Sequence, residues 1–265
     1  MAKLLILSLI QGLSEFLPVS SSGHLVIVSH ILRFTENQLA WTVAFHAGTL
    51  LSIAAFFRKD LAKILFSVLP FKKETREERK EQSKLLGLIL LATVPGAAVG
   101  LIFYEFFSNL FQNIQLVALA LFINGCWLII CQRVSSRKGA AVDLKNFGWR
   151  QALLIGCGQA AALIPGISRA GATIGCGYLC GLKKELAFKF AFLLAVPSTL
   201  GAIALSFNKL NCPIILLCFS ILFTALVGYL ALEILSQVIK KDSLNYFAFY
   251  CWAVSLWIYF FVNRM

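Results

Sequence analysis

Six apolar stretches of this chain, residues 38–57, 85–107, 113–132, 186–207, 213–238 and 244–262, each approach the length of a helix that crosses a bilayer. Such a crossing takes about 20 mostly apolar residues. Every backbone N–H and C=O in lipid must find its partner within the segment, so stretches of this kind fold as helices. Composition agrees: 59% of the 265 residues are hydrophobic and 14% charged, against roughly 45–50% and about 25% in a soluble domain. The chain reads as an all-α integral membrane protein, with residues 1–265 forming a single polytopic domain. Residues 1–10 are apolar but carry one cation and precede no small-residue cleavage site, so no cleavable signal is expected.

Two further apolar segments differ from the six. Residues 3–34 are interrupted by Pro18-Val-Ser-Ser-Ser-Gly23, and residues 151–181 by Pro165-Gly-Ile-Ser-Arg-Ala-Gly171. Each half is too short to cross, which predicts two re-entrant helix-break-helix hairpins beside six transmembrane helices. Irregular backbone at that depth requires protein or a wet cavity around it.

The net charge of +12 would suggest nucleic acid in a soluble protein. Here no nucleic-acid partner is expected, because the cations stand in short loops beside apolar spans, where they orient the chain and meet anionic headgroups. Nine Lys/Arg fall in residues 58–84 (Lys72 and Lys73 among them), five in residues 132–150 (Lys138 among them) and none in the turn 107–113. By the positive-inside rule the two basic loops are cytoplasmic, and both termini lie outside. The first hairpin then enters from outside and the second from inside.

The halves of the chain also align. Gln11, Ser20 and Gly23 match Gln159, Ser168 and Gly171 at one offset; Thr49, Leu50, Ile53, Ala54, Phe57 and Lys59 match Thr199, Leu200, Ile203, Ala204, Phe207 and Lys209 at another. One hairpin plus three spans per repeat (about 1–135 and 149–265) makes an inverted-topology repeat, whose polar site lies near the midplane where the units meet.

Several residues carry chemistry. Gln11 and Glu15 stand four apart on one face of an otherwise apolar helix, and an intramembrane carboxylate marks a functional pathway or a structural pair. Ser20, Ser21, Ser22 and Gly23 precede a helix opened by His24; such a turn caps the helix and presents N–H groups that suit a phosphate. Ser168, Arg169, Gly171 and Thr173 repeat the pattern. Arg169 needs an anion, either a phosphate held by its planar fork or the Glu15 carboxylate. His24 could be base, acid, nucleophile or metal ligand. His30 reads as a packing residue, and His46 as packing or cavity-lining. The eight cysteines, Cys212 included, form no Cys-x-x-Cys pair and read as small hydrophobes.

Gln11-Gly-Leu-Ser-Glu15-Phe-Leu-Pro-Val-Ser-Ser-Ser-Gly-His24 and Pro165-Gly-Ile-Ser-Arg169-Ala-Gly-Ala-Thr173 closely resemble the two signatures of the bacitracin-resistance type undecaprenyl-diphosphatases. Phe45-His-Ala-Gly-Thr-Leu and Phe192-Leu-Leu-Ala-Val-Pro197 extend the resemblance over nearly the whole chain. It implies an enzyme of the bacterial cytoplasmic membrane that hydrolyses undecaprenyl diphosphate to the monophosphate, recycling the lipid carrier of peptidoglycan synthesis and conferring bacitracin resistance, with its site open to the outer side. The family has Glu or Gln at the first acidic position, here Gln11, and commonly Ser after the arginine, here Ala170.

Carried onto this chain, the resemblance makes Ser21 the leading nucleophile and His24 the runner-up, with Glu15 or His24 taking the serine proton. Arg169, Ser168, Thr173 and the helix N-termini hold the diphosphate, joined by Gln11, Ser20 and Ser22. A divalent cation, Mg²⁺ or Ca²⁺, bridges diphosphate oxygens using Glu15 and waters. The prenyl tail lies along an apolar groove open to membrane lipid, and a homodimer is allowed. The rival readings are a polyprenyl-phosphate transporter or flippase, which releases no phosphate, and a structural membrane protein.

Overall fold

The computed structural model describes residues 1–35, 37–68, 75–137, 142–206, 213–241 and 243–261. Lys72, Lys73, Lys138, Phe207, Lys209 and Cys212 therefore lie outside the described residues. The described chain is helical: α1 (Ala2–Phe16), α2 (Ser21–Ile31), α3 (Gln38–Phe56), α4 (Arg58–Val68), α5 (Arg76–Ile102), α6 (Tyr104–Leu110), α7 (Ile114–Arg137), α8 (Trp149–Ala161), α9 (Arg169–Leu179), α10 (Lys184–Ser206), α11 (Ile214–Lys240) and α12 (Asn245–Phe261). Five helices, α3, α5, α7, α10 and α11, are long and apolar enough to cross a membrane, so this is a multi-pass membrane protein.

The boundaries depart from the sequence expectations in three places. The span expected at 85–107 is α5, which starts nine residues earlier because Thr75 and Glu78 form a reciprocal capping box. It ends before Phe103, and the expected turn 107–113 is partly the short helix α6. Part of the basic loop 58–84 is α4, a helix continuing α3 after a break at Phe57. The sixth expected span is α12, with 17 described residues, about 25 Å at 1.5 Å per residue.

The outer surface is apolar as well as the core, and a few polar side chains are buried. Leu90, Val94, Leu101, Leu222, Leu226 and Phe249 are exposed, an apolar outer surface that suits lipid. Gln11, Glu15, His24, Asn124, Gln159 and Thr173 are buried. Close helix contacts rely on small residues: a Cβ at Gly156 would come within 2.4 Å of the Ala92 carbonyl oxygen on α5, and one at Gly228 within 2.6 Å of the Phe16 ring. The two hairpins, α1–α2 and α8–α9, have matching neighbours, since α1 packs along α11 as α8 packs along α5. At one end of α9 the residues after Val142 lie across the bundle. Val142 exchanges backbone bonds with Gly181 and Lys183, Lys84 donates to the carbonyls of Leu144 and Lys145, and Phe147 is fully buried against Phe190. His30 is exposed at the end of α2, so the packing role expected for it is corrected. The seven described cysteines are free thiols.

Candidate active site

Proline punctuates both hairpins. Pro18 cannot extend α1, and the chain turns through Ser20 at φ 68° before α2 begins. Ser20 Oγ caps α2 by accepting from Gly23 N at 3.3 Å; in the second hairpin Ser168 Oγ accepts from Gly171 N at 3.1 Å. The serines aligned from sequence are thus equivalent in the structure.

Two links stitch the breaks together. Gly166 N donates to Ser20 Oγ at 3.2 Å. Gly166 has φ +104°, and a Cβ there would sit 2.5 Å from that of Ala120, so only glycine fits. The second link is Asn124 on α7, fully buried, whose Nδ2 donates to the Pro18 carbonyl at 2.9 Å while its Oδ1 accepts from Ser168 N at 3.0 Å. One amide therefore fixes the start of α2 against the start of α9.

Those two starts carry Ser21 and Arg169, which meet at Glu15. Ser21 Oγ donates to Glu15 Oε2 at 2.5 Å, and Gln11 Nε2 donates to the same oxygen at 3.0 Å. Arg169 donates to Glu15 Oε1 and, through its other terminal nitrogen, to Thr199 Oγ1 at 3.0 Å. His46 on α3 completes the group, its Nδ1 lying 3.3 Å from Gln11 Nε2 and 3.9 Å from Glu15 Oε1. The Glu15 side chain is 5% exposed, whereas Arg169 and His46 are 25% and 30% exposed, so the site opens on the arginine and histidine side. Below the ion pair a cavity of about 10 Å³ is walled by Phe16, Ile53 and Phe192, room for about one water. A diphosphate must enter from the open side.

His24 is engaged elsewhere. Its Nδ1 lies 2.8 Å from the Ser20 carbonyl oxygen, which can only accept, so Nδ1 carries the proton. Nε2 then accepts from Tyr250 O–H of α12 at 2.9 Å, with the two rings stacked. Both nitrogens are occupied, and the hydroxyl of Ser21 faces the carboxylate.

The structure brings Gln11, Glu15, Ser21 and Arg169 into one cluster and sets the other expected ligands apart. Ser20 and Ser168 are buried caps. Thr173 is buried and returns its hydroxyl to the Arg169 carbonyl at 2.8 Å, the back-bond common to helical threonine, so it offers no proton to a phosphate. Ser22 is half-buried, 3.2 Å from Ser20 Oγ. Asn124, Thr199 and Tyr250 are additional. An amide inside an apolar span could have flagged Asn124, and the match of Thr199 to Thr49 could have flagged Thr199; Tyr250, among many aromatics, carries no such signal.

The chain matches the family described as bacitracin resistance protein BacA over residues 4–257. It belongs to that family. Among its relatives, the undecaprenyl-diphosphatase of Methanobrevibacter smithii is 35% identical over 96% of this chain and 95% of its own length. That of Halothermothrix orenii is 36% identical over 97% and 96%. Undecaprenyl-diphosphatase 1 of Bacillus cereus is 32% identical over 94% and 93%. The matches span both hairpins, so the clustered residues belong to the family's common region.

Proposed function

We propose that this protein hydrolyses undecaprenyl diphosphate to undecaprenyl phosphate and inorganic phosphate, by phosphoryl transfer through Ser21. The observation that carries this reading is one carboxylate shared by a serine hydroxyl and an arginine at the meeting of two broken helices. In phosphoryl transfer the protein's work is positioning and neutralisation of charge, and the cluster is suited to both. Relatives named as undecaprenyl-diphosphatases support the same substrate. They lend no support to a polyprenyl-phosphate transporter as the sole function.

The Ser21 oxygen attacks the terminal phosphorus as its proton passes to Glu15, and the bond from phosphorus to the bridging oxygen breaks. Undecaprenyl monophosphate leaves with that electron pair. The proton on Glu15 passes to the departing phosphate or to water. The restored carboxylate then takes a proton from the water that attacks the phosphoserine, the bond from phosphorus to Ser21 Oγ breaks, the serine oxygen regains its proton from Glu15, and inorganic phosphate leaves. Arg169, with N–H groups to spare beyond Glu15 and Thr199, holds the nonbridging oxygens. His24, bonded to the Ser20 carbonyl and to Tyr250, keeps the Ser20–Ser21 turn in place.

The donor set suits a cation carried by the substrate more than a resident one. Among the described residues no three His, Cys, Asp or Glu side chains gather as a metal site. Glu15 would be the one protein carboxylate for Mg²⁺ or Ca²⁺, with diphosphate oxygens and waters as the other ligands, and the ion would neutralise phosphate charge.

The apolar tail has a place beside the second break, where Leu116, Leu119, Ile123, Ile164 and Pro165 line a pocket of about 140 Å³. Six crossings, with α12 as the sixth, and two hairpins form one domain of two inverted repeats in the cytoplasmic membrane of a bacterium. Val142 to Phe147 cover the cytoplasmic side and the site opens outward. A second copy of the chain is a further partner to be read from the mass of the solubilised particle.

The test is release of inorganic phosphate from undecaprenyl diphosphate by purified protein in detergent. Release that disappears in Ser21→Ala and Arg169→Ala, with both variants monodisperse, supports the reading. Absence of release from active-site-intact protein that still moves polyprenyl phosphate across vesicles would replace it with the transporter reading.

A further inference from the structure

The histidine of the cluster has no part in the scheme above. His46 is on α3, and its ring nitrogen Nδ1 faces the amide of Gln11 at 3.3 Å. The amide's orientation is set by Glu15: its nitrogen lies 3.0 Å from a carboxylate oxygen, which only accepts, so the nitrogen end must point there. An amide nitrogen has no lone pair to offer. Its second N–H therefore goes to His46, and Nδ1 is the acceptor.

The consequence falls on the other side of the ring. A neutral imidazole that accepts at Nδ1 carries its proton at Nε2. Among the described residues Nε2–H meets no acceptor, while the side chain is 30% exposed beside the similarly open Arg169. The charged groups facing the ring are Glu15, whose Oε1 is 3.9 Å from Nδ1, and Arg169, which is bonded to that carboxylate. Nδ1 is turned toward Gln11 and Glu15, which leaves Nε2–H as the ring's free donor.

We propose that His46 is a further phosphate-binding residue, held by Gln11 so that Nε2–H donates to a nonbridging oxygen of the phosphoryl group gripped by Arg169. The assignment rests on the phosphoryl-transfer reading. It gives Gln11 a role as well: with its nitrogen donating both ways, Gln11 orients Glu15 and fixes the His46 tautomer without touching substrate. Its fully buried Oε1 has no partner among the described residues, so the amide acts here through its nitrogen.

The experiment uses the intact protein in detergent micelles, labelled with ¹⁵N-histidine. With three histidines in the chain, the His46 signals are assigned by their loss in His46→Gln. Free protein is expected to show the Nε2–H tautomer at His46, and inorganic phosphate, used as the probe, to shift that N–H while leaving His30 unmoved. The shift should vanish in Arg169→Ala. In turnover, His46→Ala should lower kcat/KM by about 10²–10³-fold, the scale of losing one donor to developing charge. His46→Gln, which keeps an N–H at a similar reach, should recover most of that loss, and both variants should keep the wild-type thermal midpoint.

An Nδ1–H tautomer, a signal that saturating phosphate does not move, a shift that survives Arg169→Ala, or wild-type kcat/KM in His46→Ala would each overturn the proposal. Failure of the underlying reading is separate: Ser21→Ala would then release phosphate at the wild-type rate, whatever the histidine signals do.

Discussion

Ser21 Oγ and Glu15 Oε2 stand 2.5 Å apart, joined by the proton that a nucleophilic serine must lose. The other oxygen of the same carboxylate is bound by Arg169, which begins α9. In the proposed mechanism Glu15 is both the base for Ser21 and the group that holds Arg169 beside it. Replacing it with Gln keeps the shape and removes the base. Glu15→Gln should lower kcat by about 10²–10⁴-fold, measured as phosphate release from a monodisperse preparation; a variant within a few-fold of wild type would dismiss Glu15 as the base.

Asn124 ties the Pro18 carbonyl to the Ser168 N–H. Asn124→Ala leaves both groups buried without that partner, at a cost of roughly 2–5 kcal/mol for the two. A lower thermal midpoint in detergent and a fall in kcat of about tenfold or more are expected together, since Ser21 and Arg169 are both next to the released groups. Unchanged stability would show that the two breaks are held by other contacts.

Sidedness follows from the exposed residues Glu77, at the start of α5, and Asn109, in α6. Single cysteines placed there in a cysteine-depleted background should react with an impermeant reagent from opposite faces of sealed vesicles, Glu77→Cys from the cytoplasmic side and Asn109→Cys from outside. Reaction of both from one side would contradict six crossings and, with them, the inverted repeat.

Much of this arrangement was legible in the sequence because lipid leaves few choices. Long apolar stretches could only be helices, and Pro18 and Pro165, each within a run of Ser and Gly, marked breaks, unlike Pro95 and Pro197, which stand inside α5 and α10. The Gln11 to His24 and Pro165 to Thr173 motifs located the site. Boundaries were less legible where water competes with lipid: Thr75 and Glu78 start α5 in a charged segment that hydropathy passes over, and α4 lies within a basic run. Side-chain direction was the other gap. Thr173 has the hydroxyl a phosphate wants, yet donates it to the Arg169 carbonyl, and the Ser168 oxygen accepts from Gly171 N as a helix cap. His24 stood as the runner-up to Ser21, and its nitrogens turn out to meet the Ser20 carbonyl and Tyr250, the latter 226 residues away in the chain.

The nucleophile is the central assignment, and trapping the covalent intermediate tests it most directly. Undecaprenyl diphosphate labelled in its terminal phosphate, mixed with enzyme and quenched within the first turnover, should leave acid-stable label on the peptide that contains Ser21. The label should be absent in Ser21→Ala and present in His24→Ala. Acid-labile, base-stable label that persists in Ser21→Ala and disappears in His24→Ala would make the histidine the nucleophile and Ser21 a ligand of Glu15.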